Sequence, residues 1–98
     1  MPGQPRATAP SRELLLANHR FPGPYVIKAF GPATDRFREG IAAAAAEVVG
    51  EARAAVAHRT SSRGGKVCVT LTVNAFTVDE VIDVYDRIHR VLDLQLIL

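Results

Sequence analysis

The chain carries one cysteine, and it sits beside a glycine-rich turn. Residues 61–70 read SSRGGKVCVT, a polar loop running into a strand that holds Cys68. A nucleophilic thiol needs its pKa lowered by a nearby histidine, a helix N-terminus or cationic groups. Cys68 alternates with Val67 and Val69, so it points away from the valine face, together with Lys66 and Thr70. His58 lies on the preceding segment, and no third residue is identifiable to orient a Cys–His pair. Cys68 therefore reads as a small packing residue. The turn Ser61-Ser62-Arg63-Gly64-Gly65 could hold an anion on successive backbone N–H groups, with Arg63 and Lys66 beside it. It lacks the Gly-x-x-x-x-Gly-Lys-Ser/Thr spacing of a phosphate-binding loop and leads into a strand, not a helix. A glycine-containing hairpin loop is the simpler reading.

His19, His58, His89 and Cys68 show no zinc-ligand spacing, so no metal site and no cofactor are expected. His89 falls near a helix end, where a partial positive charge is favourable. The stretch GPATDR, residues 31–36, is a better binding candidate. Gly31 lets the backbone pass close to another group, and the helix start at Thr34, Asp35 and Arg36 offers free N–H groups suited to a carboxylate or phosphate. The competing and favoured reading is a plain turn with a capped helix.

These residues must be positioned by regular elements. YVIKAFG, residues 25–31, is aromatic and β-branched and predicts a strand closed by Gly31. Thr34 predicts an N-cap and Asp35 complements the helix dipole. Phe37, Ile41, Ala45 and Val48 mark the inner face of a helix that Gly50 stops. EARAAVAHRT, residues 51–60, predicts a second strand. In KVCVTLTV the residues Val67, Val69, Leu71 and Val73 alternate strictly with polar or small ones, the mark of a half-buried antiparallel strand. Thr77 with Glu80 forms a capping box for a second helix running to Leu92, with Val78, Val81, Ile82, Tyr85, Ile88 and Leu92 inward. DLQLIL closes the chain as a strand with Leu94, Leu96 and Leu98 on one face.

The order strand, helix, strand, strand, helix, strand predicts an α+β, ferredoxin-like βαββαβ sandwich. Its four-stranded antiparallel sheet carries two helices on one face, with right-handed crossovers. Residues 21–98 form this single domain. Residues 1–20 precede it as a flexible tail, proline-rich to residue 12, with Leu14, Leu15 and Leu16 too few for an independent helix. The other sheet face is left bare. Alternation assigns it Val26, Lys28 and Phe30 from the first strand, Cys68, Thr70 and Thr72 from the third, and Ile97 from the last.

Composition bounds the function. Ninety-eight residues, 48% of them hydrophobic, suffice for one modest core. Twelve basic residues against 10 acidic ones leave a net charge of +2, too slight by itself to imply nucleic acid. No stretch reaches the roughly 20 apolar residues of a membrane span, and no signal peptide is visible. A single cysteine fits a reducing cytoplasm.

From Ser61 to Leu98 the run SSRGGKVCVTLTVNAFTVDEVIDVYDRIHRVLDLQLIL resembles the C-terminal half of the YbeD-like proteins, small bacterial proteins of unknown function. Ser61, Ser62, Gly64, Asn74, Ala75, Tyr85 and Leu98 fall where that pattern has them. Upstream, FPGPYVIKAFG is similar to the family's Phe-Pro start, with Lys28 and Gly31 matching. The resemblance covers about 80 of the 98 residues. The chain departs from it in an alanine-rich middle strand with His58, in Lys66 where an aromatic is common, and in a longer lead-in. The resemblance implies a ferredoxin-like domain similar to ACT regulatory domains, whose small ligand sits near the loop that corresponds to residues 31–36, at a subunit interface. It carries over no catalytic or cofactor residue.

The expectation is a non-enzymatic regulatory or interaction module. Its partner is an unidentified protein or a second copy, met through the open sheet face or an edge strand, with a small anionic metabolite as a further ligand. A nucleic-acid-binding module, using Lys28, Arg59, Arg63 and Lys66 on phosphates, is the alternative. It is disfavoured because Phe30 is the sole aromatic on the bare face.

Overall fold

A computed structural model describes residues 9–98. In chain order the elements are α1 (Arg12–Asn18), β1 (Gly23–Pro32), α2 (Asp35–Val49), a 3-10 turn (Glu51–Arg53), β2 (Ala54–Thr60), β3 (Lys66–Ala75), α3 (Val78–Ile88) and β4 (Leu96–Ile97). The four strands form one antiparallel sheet in the order β2-β3-β1-β4.

The period-two pattern sets the two faces of the sheet. In β1, Tyr25, Ile27 and Ala29 are buried. They stand opposite Val73, Leu71 and Val69 of β3, which are buried too. Onto this face pack Phe37, Ile41, Ala44, Ala45 and Val49 of α2 and Val78, Val81, Val84, Tyr85 and Ile88 of α3. One alternating face and two amphipathic stripes thus enclose a single core. Gly40 of α2 makes room for Val91, just beyond α3, since a Cβ there would stand 3.1 Å from it, and Arg87 of α3 bonds Glu47 of α2 at 2.9 Å.

A network at one end of the sheet ties three elements together. Arg53 holds Glu80 with two parallel bonds of 3.0 and 2.8 Å. It also donates to the carbonyls of Val49 and Asn74, and its guanidinium lies 3.8 Å from the centre of the Phe76 ring. Glu80 takes the Phe76 N–H at 2.6 Å, one residue before the N-cap from which a regular capping box would accept. Thr77 Oγ1 receives the Glu80 N–H at 3.4 Å.

Four sequence expectations need correction. The segment Leu14–Leu16 lies in a seven-residue helix, α1, where a flexible tail was expected. A helix this short is marginal alone and forms here by docking. Ser11 caps it, Leu15 is buried in the core, and Arg12 pairs with Asp79 of α3. Residues 12–18 of the expected tail therefore form a helix, and residues 1–8 of that tail lie outside the described residues.

Helix α3 ends at Ile88 rather than Leu92. The chain tightens there through bonds from Arg90 to Arg87 and from Val91 to Ile88, then reverses at Asp93, whose φ is +72°. Leu92 falls beyond the helix and is exposed, while Val84 takes an inward position. In α2, Phe37, Ile41 and Ala45 are buried as expected, Ala44 joins them, and Val49 takes the place of Val48, which is half-buried.

The last correction concerns the open face. Ile97 is 1% exposed and lies on the core side. It pairs with buried Ala29, and directly paired residues share a face. Leu96 and Leu98 consequently point the other way, at 42% and 60% exposure. A one-residue shift in β4 flips every side chain of that strand.

Candidate functional site

The open face is built in rows across the strands. One row runs Arg59, Cys68, Phe30, Leu96, following the pairings Arg59 with Cys68, Cys68 with Phe30, and Phe30 with Leu96. The next runs Ala57, Thr70, Lys28, Leu98. Its last step is fixed by a reciprocal pair of bonds, Lys28 N–H to the Leu98 carbonyl at 3.1 Å and the reverse at 2.8 Å. The third row runs Ala55, Thr72, Val26. Of the residues assigned to this face by alternation, Val26, Lys28, Phe30, Cys68, Thr70 and Thr72 all lie on it, and Ile97 is replaced by Leu96 and Leu98.

The face is apolar on the β1–β4 side, carries Cys68, Thr70 and Thr72 along β3, and ends in Ala55, Ala57 and Arg59 on β2. Val26 is 52% exposed, and with Phe30, Leu96 and Leu98 it surrounds Lys28, whose ammonium donates to Thr70 Oγ1 at 3.1 Å. At the hairpin end a concavity of about 400 Å³ opens between Phe30, Cys68, Arg59, Ser61, Ser62 and Lys66.

The register separates the cysteine from the histidine. Arg59, not His58, is opposite Cys68, and His58 is opposite Val69 on the other face. No Cys–His pair is formed. Among the described residues, no group of three or more His, Cys, Asp or Glu side chains comes together in a way that could hold a metal. His19 instead stacks obliquely on Tyr25, ring centres 4.6 Å apart, and His89 Nδ1 is 2.8 Å from the Tyr85 carbonyl. Tyr85 meets Tyr25 hydroxyl to hydroxyl at 3.2 Å in the core, and burial followed by that hydrogen bond pushes the Tyr85 phenol well above its ordinary value.

The hairpin uses three of its backbone donors internally. Ser61 N–H bonds the Lys66 carbonyl at 2.8 Å, Gly64 N–H bonds the Ser61 carbonyl at 2.9 Å, and Lys66 N–H reaches Ser61 Oγ at 3.2 Å. Gly64 carries the positive φ, +79°, that closes such a loop.

The stretch 31–36 is likewise occupied by its own structure. Gly31 is close to another group, but that group is the Phe37 ring. A Cβ at residue 31 would fall 2.4 Å from Phe37 Cζ. Thr34 Oγ1 accepts the Phe37 N–H at 3.1 Å, Arg38 N–H bonds the Thr34 carbonyl, and Asp35 pairs with Arg38. Arg36 is exposed at the surface. The cap takes up the Phe37 N–H, one of the helix-start donors an anionic ligand could use.

Residues 17–98 match the family model described as a protein of unknown function (DUF493). The chain belongs to this family. No curated protein matches it. The DUF493 match takes in the whole sheet, α2, α3 and the hairpin, and begins within the last turn of α1. No described helix is long and apolar enough to cross a membrane.

The sequence reading missed Leu96 and Leu98 as open-face residues. The signal was the pairing of Ala29, since whatever stands opposite an inward residue must itself point inward. It also missed Arg53, which has no motif and acts through contacts from three separate segments.

Proposed function

We propose that this DUF493 chain is a non-enzymatic interaction module that engages a protein partner through its open sheet face. The observation that carries this reading is the apolar cluster of Val26, Phe30, Leu96 and Leu98 around Lys28, on a face that no described helix covers. A contiguous exposed apolar patch is costly to keep in water and marks an interaction surface. The core side of the same strands is fully packed, so these leucines are not needed to complete it.

The finer fold reading supports the same function. Strand order β2-β3-β1-β4, with α2 joining β1 to β2 and α3 joining β3 to β4, supports reading the fold as a ferredoxin-like split βαβ sandwich. The YbeD-like and ACT-like resemblance fits that order and favours a regulatory module in the bacterial cytoplasm. Nucleic acid is the weaker reading. The face offers one aromatic, Phe30, and the cations Lys28 and Arg59, too little for stacking and phosphate tracking together.

Affinity capture from the native cell, with the wild-type chain beside Phe30→Asp and Leu98→Asp, tests this proposal. A discrete protein retained by the wild type and lost with both variants, each still folded by circular dichroism, is the expected result. Retention by both variants, or a salt-sensitive nucleic acid as the retained species, would refute it.

A further inference from the structure

The β2 edge of the sheet is long, regular and unguarded. The opposite edge, β4, has only two residues, which limits what can pair with it. Strand β2 runs for seven residues, contains neither proline nor lysine, and pairs with β3 in unbroken register without a bulge. Every residue from Ala55 to Thr60 is exposed, although β3 beside it buries Val67, Val69, Leu71 and Val73. Val56 points to the helix side, yet 45% of it remains accessible. It forms one wall of a groove of about 490 Å³ whose other wall is Ala42, Ala43 and Ala46 of α2.

The direction of the free backbone groups can be read from the hairpin. Ser61 and Lys66 are a hydrogen-bonded pair. Antiparallel pairs alternate, so Arg59, Ala57 and Ala55 bond to β3, while the N–H groups of Val56, His58 and Thr60 point outward. Ala54 turns its N–H to the Glu51 carbonyl.

We propose that β2 is the seam of a homodimer, in which a second copy of this chain adds its own β2 antiparallel across a twofold axis at Ala57. Centring at Ala57 sets Ala54 opposite Thr60, Ala55 opposite Arg59 and Val56 opposite His58, so all seven residues of each strand pair. The outward N–H groups then meet outward carbonyls. The charges select the same register. It brings Glu51 of each copy to the Arg63 turn of the other, and among the described residues neither has an ion-pair partner within its own chain. Centring one position earlier, at Val56, or one later, at His58, would set Glu51 against Ser61 or Gly65 and lose that pairing. The twofold is closed, uses both β2 edges, and joins two four-stranded sheets into one with all helices on the same side. The two alanine-lined grooves then face each other along the seam.

This seam is an edge and leaves the open face free, so it stands or falls separately from the partner proposal. Sedimentation equilibrium of the full chain over a concentration series provides the test. Wild type should dimerise reversibly. Val56→Pro removes only an outward N–H, which an edge strand tolerates, and should give a folded monomer. Glu51→Arg or Arg63→Glu should each weaken the dimer by roughly fivefold, from two exposed ion pairs lost per dimer, and the double reversal should restore it. Phe30→Asp should leave the dimer intact. A wild type that stays monomeric at about 1 mM, a dimer untouched by Val56→Pro, or a double reversal that restores nothing would overturn the proposal. If Val56→Pro fails to fold, the charge reversal decides alone.

Discussion

Replacing Gly31 by alanine separates packing from ligand binding at the strand-to-helix loop. The added methyl would lie 2.4, 2.5 and 2.7 Å from three atoms of the Phe37 ring. Phe37 is 2% exposed and held in the core, so the ring has no free space to enter. Overpacking of this kind costs about 1–3 kcal/mol. For a domain near this size each kcal/mol lowers Tm by about 4–8 °C, so a mid-range 2 kcal/mol corresponds to a fall of about 8–16 °C. The assay is thermal and urea unfolding followed by circular dichroism, run on Gly31→Ala, Phe37→Leu and the double variant. Because the clash is with the ring, the double variant should be more stable than the sum of the two single losses implies, with a coupling of at least ~1 kcal/mol. A Gly31→Ala chain that melts like wild type, or strictly additive losses, would refute the packing account. A glycine kept open for a ligand would tolerate the methyl in the unliganded chain.

Other consequences concern the clamp, the core phenol and the open face. Arg53→Met should destabilise the fold by about 1–2 kcal/mol, read as a lower urea midpoint, because it leaves the half-buried Glu80 carboxylate without its bidentate partner. The Tyr85 contribution to stability should be level below pH 10.0, the ordinary tyrosine value, and fall above it. There the unfolded chain ionises Tyr85 while the native core keeps the proton, so the unfolded state binds fewer protons and alkali favours it. Tyr85→Phe should flatten that decline in pH-dependent melting. Cys68 is half-buried on the open face, so thiol labelling should proceed in the free chain and slow when a partner covers the face.

The elements most legible from sequence were those with a strong period. KVCVTLTV alternates without a break, and β3 follows it, which is why Cys68, Thr70 and Thr72 lie on the open face; the alternation of β1 places Val26, Lys28 and Phe30 beside them. The cap residues Thr34 and Thr77 were legible for the same reason, since each supplies a side-chain oxygen at the position a helix start requires. The errors sit where tertiary contact decides. Helix α1 exists because Leu15 and Arg12 reach the core and α3, contacts distant in sequence. Strand β4 is two residues long, too short to show its own alternation, and its facing follows from Ala29. Gly31 was recognised as a close approach, but the sequence could not say that the approaching group was Phe37 rather than a ligand.

Photo-crosslinking in the native cell bears most directly on the open face as the interaction surface. The crosslinker is placed singly at Thr70 or Leu98 on that face and at Asp86 on the exposed side of α3. The account expects a discrete protein adduct from Thr70 and Leu98, none from Asp86, and loss of the adduct when Phe30→Asp is added. Equal adducts from all three positions, an adduct from Asp86 alone, or none at all would contradict it.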